Sequence, residues 1–571
     1  MIRIPHLLLI LATALSASGQ GSTVVVGDPP PQQPVNILFI NIDDMNDWTE
    51  MMGTNPQIQT PQMERLAEMG TYFTNAHCQY ARCVQSRSSY MTGLYPETFI
   101  GRGVEGAVDG HEIKTAQGVV DQALVLGTQV MENYFKDHGY KTYMIGKIYH
   151  GRAHDGIDVD GGYGGGSAGT PLNAANFPGQ GTGTDWGVYE EGEASDADMG
   201  DYQNASWIID QLNNHPTDGQ PFFMAIGFRL PHVPWYIPQK WADLYPADET
   251  LWKEPFYPEL WQVNPDNGNY EPSPANTLPS AAASKLEQGY PNLIDPDDTQ
   301  YVGEQGWRDI TQAYAGSISF VDDQIGRLID GLAASPHADN TVIVAFSDHG
   351  YHLGSKMIFT KHNLWDRSTQ APLFFAGPGI PADQMIDKAV ELVDVYPTLL
   401  SLANLPPNPA NEGDNLVPLM QNPGMDWDKP ALIFHTDGDD EAVVKGDWRY
   451  ITYDPTDPDD QELYDVSVDP YEIDNLAQTG THQAKIDELK ALLMPRPWME
   501  LEINLIGGEG TVTQDPAGPT YLKDEVVTLT VEPAPGFVFE RWDGHAEGTE
   551  TTTTIEMSPW HRTVNVFFQE Q

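Results

Sequence analysis

The run Val35-Asn36-Ile37-Leu38-Phe39-Ile40-Asn41-Ile42 is apolar almost throughout and ends on the acidic pair Asp43-Asp44. An extended segment sends alternate side chains to opposite faces, so a strand without a polar face is buried on both, as in a parallel sheet covered by helices on each side. Similar apolar stretches recur at residues 142–145, 221–228, 341–346 and 372–375, with helical patterns between them, for example over residues 318–332. A further helix is expected to open at Thr60-Pro61, carry Met63, Leu66 and Met69 on one face and stop at Gly70. Strands alternating with helices predict an α/β sandwich with a mostly parallel central sheet and a crevice at the carboxyl ends of its strands. Four strand ends carry polar groups to that crevice: Asp43-Asp44, Gly146-Lys147, Arg229 to His232, and Asp348-His349.

The 571 residues allow one large domain with appendages. Arg3, the apolar run Leu7 to Leu15 and the small residues Ser16 to Gly19 have the layout of a cleavable secretory signal over residues 1–19. Residues 20–34, rich in Gly, Pro and Gln, read as a linker, and the main domain is expected over residues 35–429. Gly-rich residues 151–200 and Pro-rich residues 234–300 read as long loops rimming the crevice. Strand-like stretches at 448–453 and 462–465 suggest a smaller α+β subdomain over residues 430–495. Residues 500–571 alternate Val, Thr and Leu between turns, an all-β signal. This tail resembles the β-repeat modules at the ends of secreted bacterial proteins, with Trp542 and Trp560 as candidate glycan contacts. No run after the signal approaches the ~20 apolar residues that span a bilayer, so no transmembrane anchor is expected. A secreted or periplasmic protein, held at the cell surface through its tail, is the expectation.

Acidic residues outnumber basic ones 82 to 29, for a formal charge of −53. Such a surface repels phosphate backbones and anionic lipid, which excludes nucleic acid as a partner and suits high ionic strength. An anionic substrate would need a local positive pocket. The two cysteines, Cys78 and Cys83, cannot form a disulfide framework, and a bridge between them would close a short loop with little entropic gain.

Asp43, Asp44 and Asp348 are hard oxygen donors suited to Ca²⁺ or Mg²⁺, and His349 could complete the shell. Taken singly, each of these residues has an ordinary structural reading: a turn or cap for the aspartates, a solvated charge for Lys147 or Lys361, a salt bridge for Arg87, a plain imidazole for His150 or His232. Their joint occurrence and order change that reading. Residues 39–48, the segment 75–93 with Cys83-Val84-Gln85-Ser86-Arg87, Gly146-Lys147-Ile148-Tyr149-His150, Pro231-His232-Val233-Pro234 and Ser347-Asp348-His349-Gly350 together resemble the type I formylglycine-dependent sulfatases. The Asp-Asp-Met-Asn-Asp-Trp run points to the iduronate-2-sulfatase-like branch, and the resemblance spans residues 35–480.

The resemblance implies an alkaline-phosphatase-like sandwich and a sulfuric ester hydrolase acting on sulfated carbohydrate, such as a 2-O-sulfated uronic acid or marine polysaccharide oligomers. It further implies that a formylglycine-generating maturation enzyme oxidises Cys83, and that Asp43, Asp44, Cys83, Asp348 and His349 surround a Ca²⁺ or Mg²⁺. Arg87 and Lys147 would hold the hydrated aldehyde, Lys361 would neutralise sulfate, His232 would act as general acid and His150 as general base. Arg229 is a candidate contact to a substrate carboxylate, whereas His77, His352 and His362 receive no role. Gln85 departs from the family pattern, which has Pro or Ala there. Two other readings stay open: a phosphodiesterase or phosphonate monoester hydrolase of the same superfamily, and a non-catalytic sulfated-glycan-binding protein.

Overall fold

The computed structural model describes residues 34–570 except 102–114, 176–184, 256–260, 264–269, 273–302, 436–439, 455–456, 494–498, 518–519, 522–525, 545, 547 and 558–561. The expected signal (1–19), most of the linker (20–34), Trp560 and much of the Pro-rich stretch lie outside the described residues.

Eight strands form the central sheet: β1 (Asn36–Ile42), β2 (Gly70–Phe73), β3 (Lys141–Gly146), β4 (Val159–Asp160), β5 (Phe222–Gly227), β6 (Thr341–Ser347), β7 (Leu373–Ala376) and β8 (Gln384–Ile386). Their order is β8-β2-β7-β6-β1-β5-β3-β4. β1 lies between β5 and β6, parallel to both, and β7 alone runs against its neighbours. The helices that matter for the site are α1 (Pro61–Met69), α2 (Cys83–Thr92), α3 (Gly200–Asn214), α4 (Gly303–Ala334) and α5 (Val395–Leu402).

The alternation along β1 explains its composition. Leu38, Ile40 and Ile42 pack with Met63 and Leu66 of α1, Ile208 and Leu212 of α3, and Ile318 and Ile325 of α4. Ile37 and Phe39 face the other way, onto Tyr90 and Met91 of α2 and Val395 and Leu399 of α5. Each such side chain, fully buried, contributes about 1.5–3 kcal/mol, so neither face could be polar.

Two local expectations differ from the structure. α1 stops at Gly70 as expected, where β2 begins directly, but the Met69 side chain, expected on one face with the buried Met63 and Leu66, is exposed. The segment beginning at Pro372 is antiparallel, a direction that a four-residue apolar run does not encode. α1 is capped from a distance: the Asp322 carboxylate on α4 accepts the backbone N–H groups of Gln62 (3.0 Å) and Met63 (2.8 Å). Burial pushes that carboxyl up to about 7.

Beyond the sandwich, β9 (Ala431–Phe434), β10 (Glu441–Lys445), β11 (Trp448–Thr452) and β12 (Gln461–Asp465) form an antiparallel sheet backed by α6 (Gln483–Lys490). The tail holds β13 (Met499–Ile506), β14 (Gly510–Asp515), β15 (Thr520–Tyr521), β16 (Val526–Pro533), β17 (Phe537–Gly544), β18 (Thr552–Glu556) and β19 (Arg562–Glu570) in two sheets. Its first long strand, β13, pairs parallel with its last, β19. Trp542, a candidate glycan contact in the sequence, is not a surface platform. It is buried among Val527, Leu529 and Val566, and its indole N–H donates to the Glu550 carbonyl.

Candidate active site

Parallel register brings the polar strand ends together. Ile42 stands opposite Ser347, Asn41 opposite Gly227, and Gly227 opposite Gly146. The ladder continues one step further through Asp348 N–H to Ile42 O (3.0 Å), Phe228 N–H to Asn41 O (2.8 Å) and Lys147 N–H to Gly227 O (3.0 Å). Asp43, Lys147, Arg229 and Asp348 therefore leave the sheet at one edge.

The helix carrying Cys83 starts at Cys83 itself, with extended Arg82 before it and Gly93 closing it at φ 73°. Ser86 Oγ donates to the Asp348 carbonyl and fixes the helix start against β6. One turn beyond Cys83, on the same helix face, Arg87 ties three strand ends together. Its Nε donates to Asp348 Oδ2 (2.9 Å), its Nη2 to Asp43 Oδ1 (2.9 Å), and its Nη1 to the carbonyls of Lys147 and Ile148. Cys78 and Cys83 are both free thiols, so the short-loop bridge is absent.

Cys83 Sγ lies 3.1 Å from Lys361 Nζ, 3.4 Å from His349 Nε2, and 3.7 Å from both Lys147 Nζ and Asp44 Oδ1. Lys147 Nζ pairs with Asp43 Oδ2, and Lys361 Nζ with Asp44 Oδ1. Burial and Asp43 push the thiol up, yet Lys147 and Lys361 outweigh them and hold it well below the ordinary thiol range. Burial likewise raises the Asp43 carboxyl, and Lys147, His232 and Arg87 reverse the effect. Burial opposes an imidazolium at His349, but Asp348 outweighs it and raises the ring to about 9. Cys78, five residues away, shows the contrast: burial dominates there and pushes the thiol up.

A divalent cation fits this donor set. Asp44 Oδ2 is buried and has no hydrogen-bond partner among the described residues, although a carboxylate oxygen in that state costs about 1–3 kcal/mol or more. Ligand atoms of Asp43, Asp44, Cys83 and His232 lie within 4.8 Å of one another, as do those of Cys83, Asp348 and His349. Asp44 adopts φ 63°, left-handed backbone that costs a non-glycine residue about 1–3 kcal/mol. It is kept there by its N–H to Asp348 Oδ1 (3.1 Å) and by the Tyr314 hydroxyl on its carbonyl (2.7 Å). Hard oxygens in a fixed cluster suit Ca²⁺ or Mg²⁺.

His232, expected as an acid beside the leaving group, thus lies with the Asp43-Asp44-Cys83 group. Its Nδ1 meets the Val233 carbonyl at 2.5 Å, which leaves Nε2 as the nitrogen free to exchange a proton. His150 stands at the exposed rim, where partial burial and Lys147 keep its imidazole below the ordinary value. His77 and His352 are buried in the interior. Two residues went unnoticed in the sequence: Tyr314, and Asp201, which accepts the backbone N–H groups of Arg229 and Leu230 at 3.0 Å and so shapes the loop to His232. Neither lies in a motif, and only the fold brings them to the crevice.

The sulfatase family model matches residues 35–405. The chain belongs to the sulfatase family. A C-terminal domain described for N-sulphoglucosamine sulphohydrolase matches residues 354–496, and the divergent InlB B-repeat domain matches residues 501–571. A sulfatase of Formosa agariphila is 38% identical over 80% of this chain and 86% of its own length. Iduronate 2-sulfatase of Mus musculus is 25% identical over 69% of this chain and 72% of its own. Among solved structures, a protein in complex with its substrate D-glucosamine-2-N,6-O-disulfate superposes with a TM-score of 0.58 at 20% identity, covering 81% of this chain and 97% of that one. A phosphonate monoester hydrolase of Agrobacterium radiobacter gives 0.59 at 17% identity, covering 80% and 95%, so this fold also serves other esters. As a sulfatase, the protein is a sulfuric ester hydrolase built on the alkaline-phosphatase-like fold.

Proposed function

We propose that this sulfatase is an exported enzyme that removes sulfate from a sulfated carbohydrate, using position 83 as formylglycine and a divalent cation. The observation that carries the reading is the placement of Cys83 Sγ within 3.7 Å of Lys147, Lys361, His349 and Asp44 at the start of α2. A sulfate monoester resists attack because its own oxygens are negative, so cations must gather on it before a nucleophile can approach. Lys361 would neutralise those oxygens, and the start of α2 adds a favourable field for an anion. Arg87 and Lys147 would orient the nucleophilic residue, His232 would protonate the departing sugar oxygen, and His150 would accept the proton in the second half of the cycle. A hydrated formylglycine supplies a geminal diol, one hydroxyl for attack on sulfur and the other for expelling sulfate afterwards. Ca²⁺ or Mg²⁺ held by Asp43, Asp44, Asp348 and His349 would polarise the sulfate and favour the ionised nucleophile.

Sulfated carbohydrate is supported by the relatives' names and by the rim of loops after β3 and β5. The InlB-type tail is compatible with display outside the cell. The test is peptide mass spectrometry across Cys83 in native material, joined to sulfate release from sulfated glycans. Conversion of thiol to aldehyde together with release is the expected result. An unmodified thiol in an active protein would sink the formylglycine reading and leave a thiol-based hydrolase. Faster turnover of phosphate than sulfate esters would favour the phosphonate hydrolase side of the superfamily, and tight glycan binding without release would favour a binding protein.

A further inference from the structure

Because acids outnumber bases 82 to 29, a base without an acid beside it is unusual in this chain. Arg65, Lys136, Lys240, Arg367 and Arg449 all sit in ion pairs. Arg152 and Arg229 do not: neither guanidinium has a hydrogen bond or ion pair among the described residues. Their positions are related. Arg152 follows His150 by two residues, and Arg229 precedes His232 by three. The two loops leave β3 and β5, adjacent parallel strands whose last residues, Gly146 and Gly227, are registered partners.

Arg229 is also supported from behind. A Cβ on Gly166, at φ 77°, would lie 2.9 Å from Arg229 Cδ, so only glycine lets this loop close over the arginine stem. Asp201 is the nearby carboxylate, but its two oxygens are taken up by the backbone N–H groups of Arg229 and Leu230. The stem is packed, while the charged head makes no hydrogen bond or ion pair among the described residues beyond the through-space attraction of Asp201. Arg152 is exposed.

We propose that Arg152 and Arg229 form an anion subsite at the mouth of the crevice, which receives a second negative group carried by the substrate beside the scissile sulfate. This rests on the sulfatase reading. A guanidinium presents a planar fork to a carboxylate or a sulfate alike, and two of them raise the local concentration of an anion that the rest of this surface repels. The substrate class is therefore a polyanionic glycan rather than an isolated sulfate ester.

The experiment uses the formylglycine-bearing enzyme and two matched sets of oligosaccharides with the same scissile sulfate. One set keeps a neighbouring uronic carboxylate or has it reduced to the alcohol, and the other keeps or lacks a neighbouring second sulfate. Wild type is expected to show a KM about tenfold lower for the charged member of one set, and the set that shows it identifies the anion. Arg152→Gln and Arg229→Met, the latter retaining the packed stem, should raise KM for that member toward the neutral one while kcat stays within about threefold. Arg229→Lys should restore part of the preference. Equal KM values across both sets in wild type, or equal losses on charged and neutral members in the variants, overturn the subsite and leave the sulfatase reading intact. Absence of sulfate release from every oligosaccharide defeats the sulfatase reading instead, and the affinity of Cys83→Ser for charged against neutral members then decides the subsite on its own.

Discussion

Two of the buried ionic clusters differ in what their charges are for. Around Arg449, the guanidinium pairs with Asp366 and with Glu472 (2.9 Å), donates to the Leu364 carbonyl (2.8 Å) and the Thr369 hydroxyl (3.0 Å), and Lys356 caps the Glu472 carbonyl. The charges there pair with one another, although Arg449 Nε and Glu472 Oε1 make no directed hydrogen bond among the described residues. Around Cys83, the cations also pair with carboxylates, but they converge on a sulfur atom and leave Asp44 Oδ2 without a donor. Buried charge by itself therefore marks no chemistry. What distinguishes the second cluster is that its cations converge on one nucleophilic atom, with Lys361 Nζ 3.1 Å and Lys147 Nζ 3.7 Å from Cys83 Sγ.

The sharpest way to break this comparison is to remove the centre of each cluster. Cys83→Ser should abolish sulfate release by more than about 10⁴-fold with an unchanged melting temperature, because the nucleophile is lost and the packing kept. Arg449→Met should do the reverse, lowering stability by about 3–5 kcal/mol through unpaired buried carboxylates while specific activity per folded molecule persists. Denaturant unfolding paired with initial rates separates the two outcomes, and a stable but inactive Arg449→Met would collapse the distinction.

The next effect in size concerns His232. His232→Gln is expected to cost about 10²–10⁴-fold in kcat on a sugar sulfate and far less on nitrophenyl sulfate, whose leaving group needs no proton. Equal losses on both would remove the acid role. Chelation comes next: EDTA should suppress turnover and lower the melting temperature, with Ca²⁺ or Mg²⁺ restoring both, since a ligand of the folded state stabilises it by mass action. The Arg449 cluster predicts no such response for its own region, which protease sensitivity of β9 to β12 would report.

The smallest effect lies at Asp322. Its carboxyl is raised to about 7 in the fold, against an ordinary value of 3.8. Between those values the folded chain binds the extra proton, so this group favours folding at low pH and its contribution is lost as pH rises toward 7. The stability of wild type relative to Asp322→Asn should therefore fall with rising pH in that window, by at most about 1.4 kcal/mol per pH unit, and level off above it. A flat difference across pH 4.5 to 7.5, measured by urea unfolding, would contradict this.

Much of the site was legible because parallel strands do the arranging. Once 35–42, 142–145, 221–228 and 341–346 read as buried strands, their carboxyl ends had to share an edge, and Asp43, Lys147, His232 and Asp348 had to share a crevice. Arg87 came only with the family resemblance of the Cys83-Val84-Gln85-Ser86-Arg87 segment. What stayed hidden depended on distant partners. Asp322 caps α1 across 260 residues, Asp201 braces the Arg229 loop from α3, and Tyr314 props the strained Asp44. None of these has a local signature. Trp542, a candidate glycan contact in the sequence, is covered for a related reason: β16 and β19, distant in the chain, supply the side chains that bury it.

The parallel pairing of β13 with β19 has a mechanical consequence for the tail. A pull between Met499 and Glu570 acts along both strands in opposite directions, so the rungs from Leu501 opposite Arg562 to Ile506 opposite Phe567 bear the load together in shear. A hairpin pulled from its two ends would open one rung at a time. Joined this way, the tail resists stretching as a clamp does.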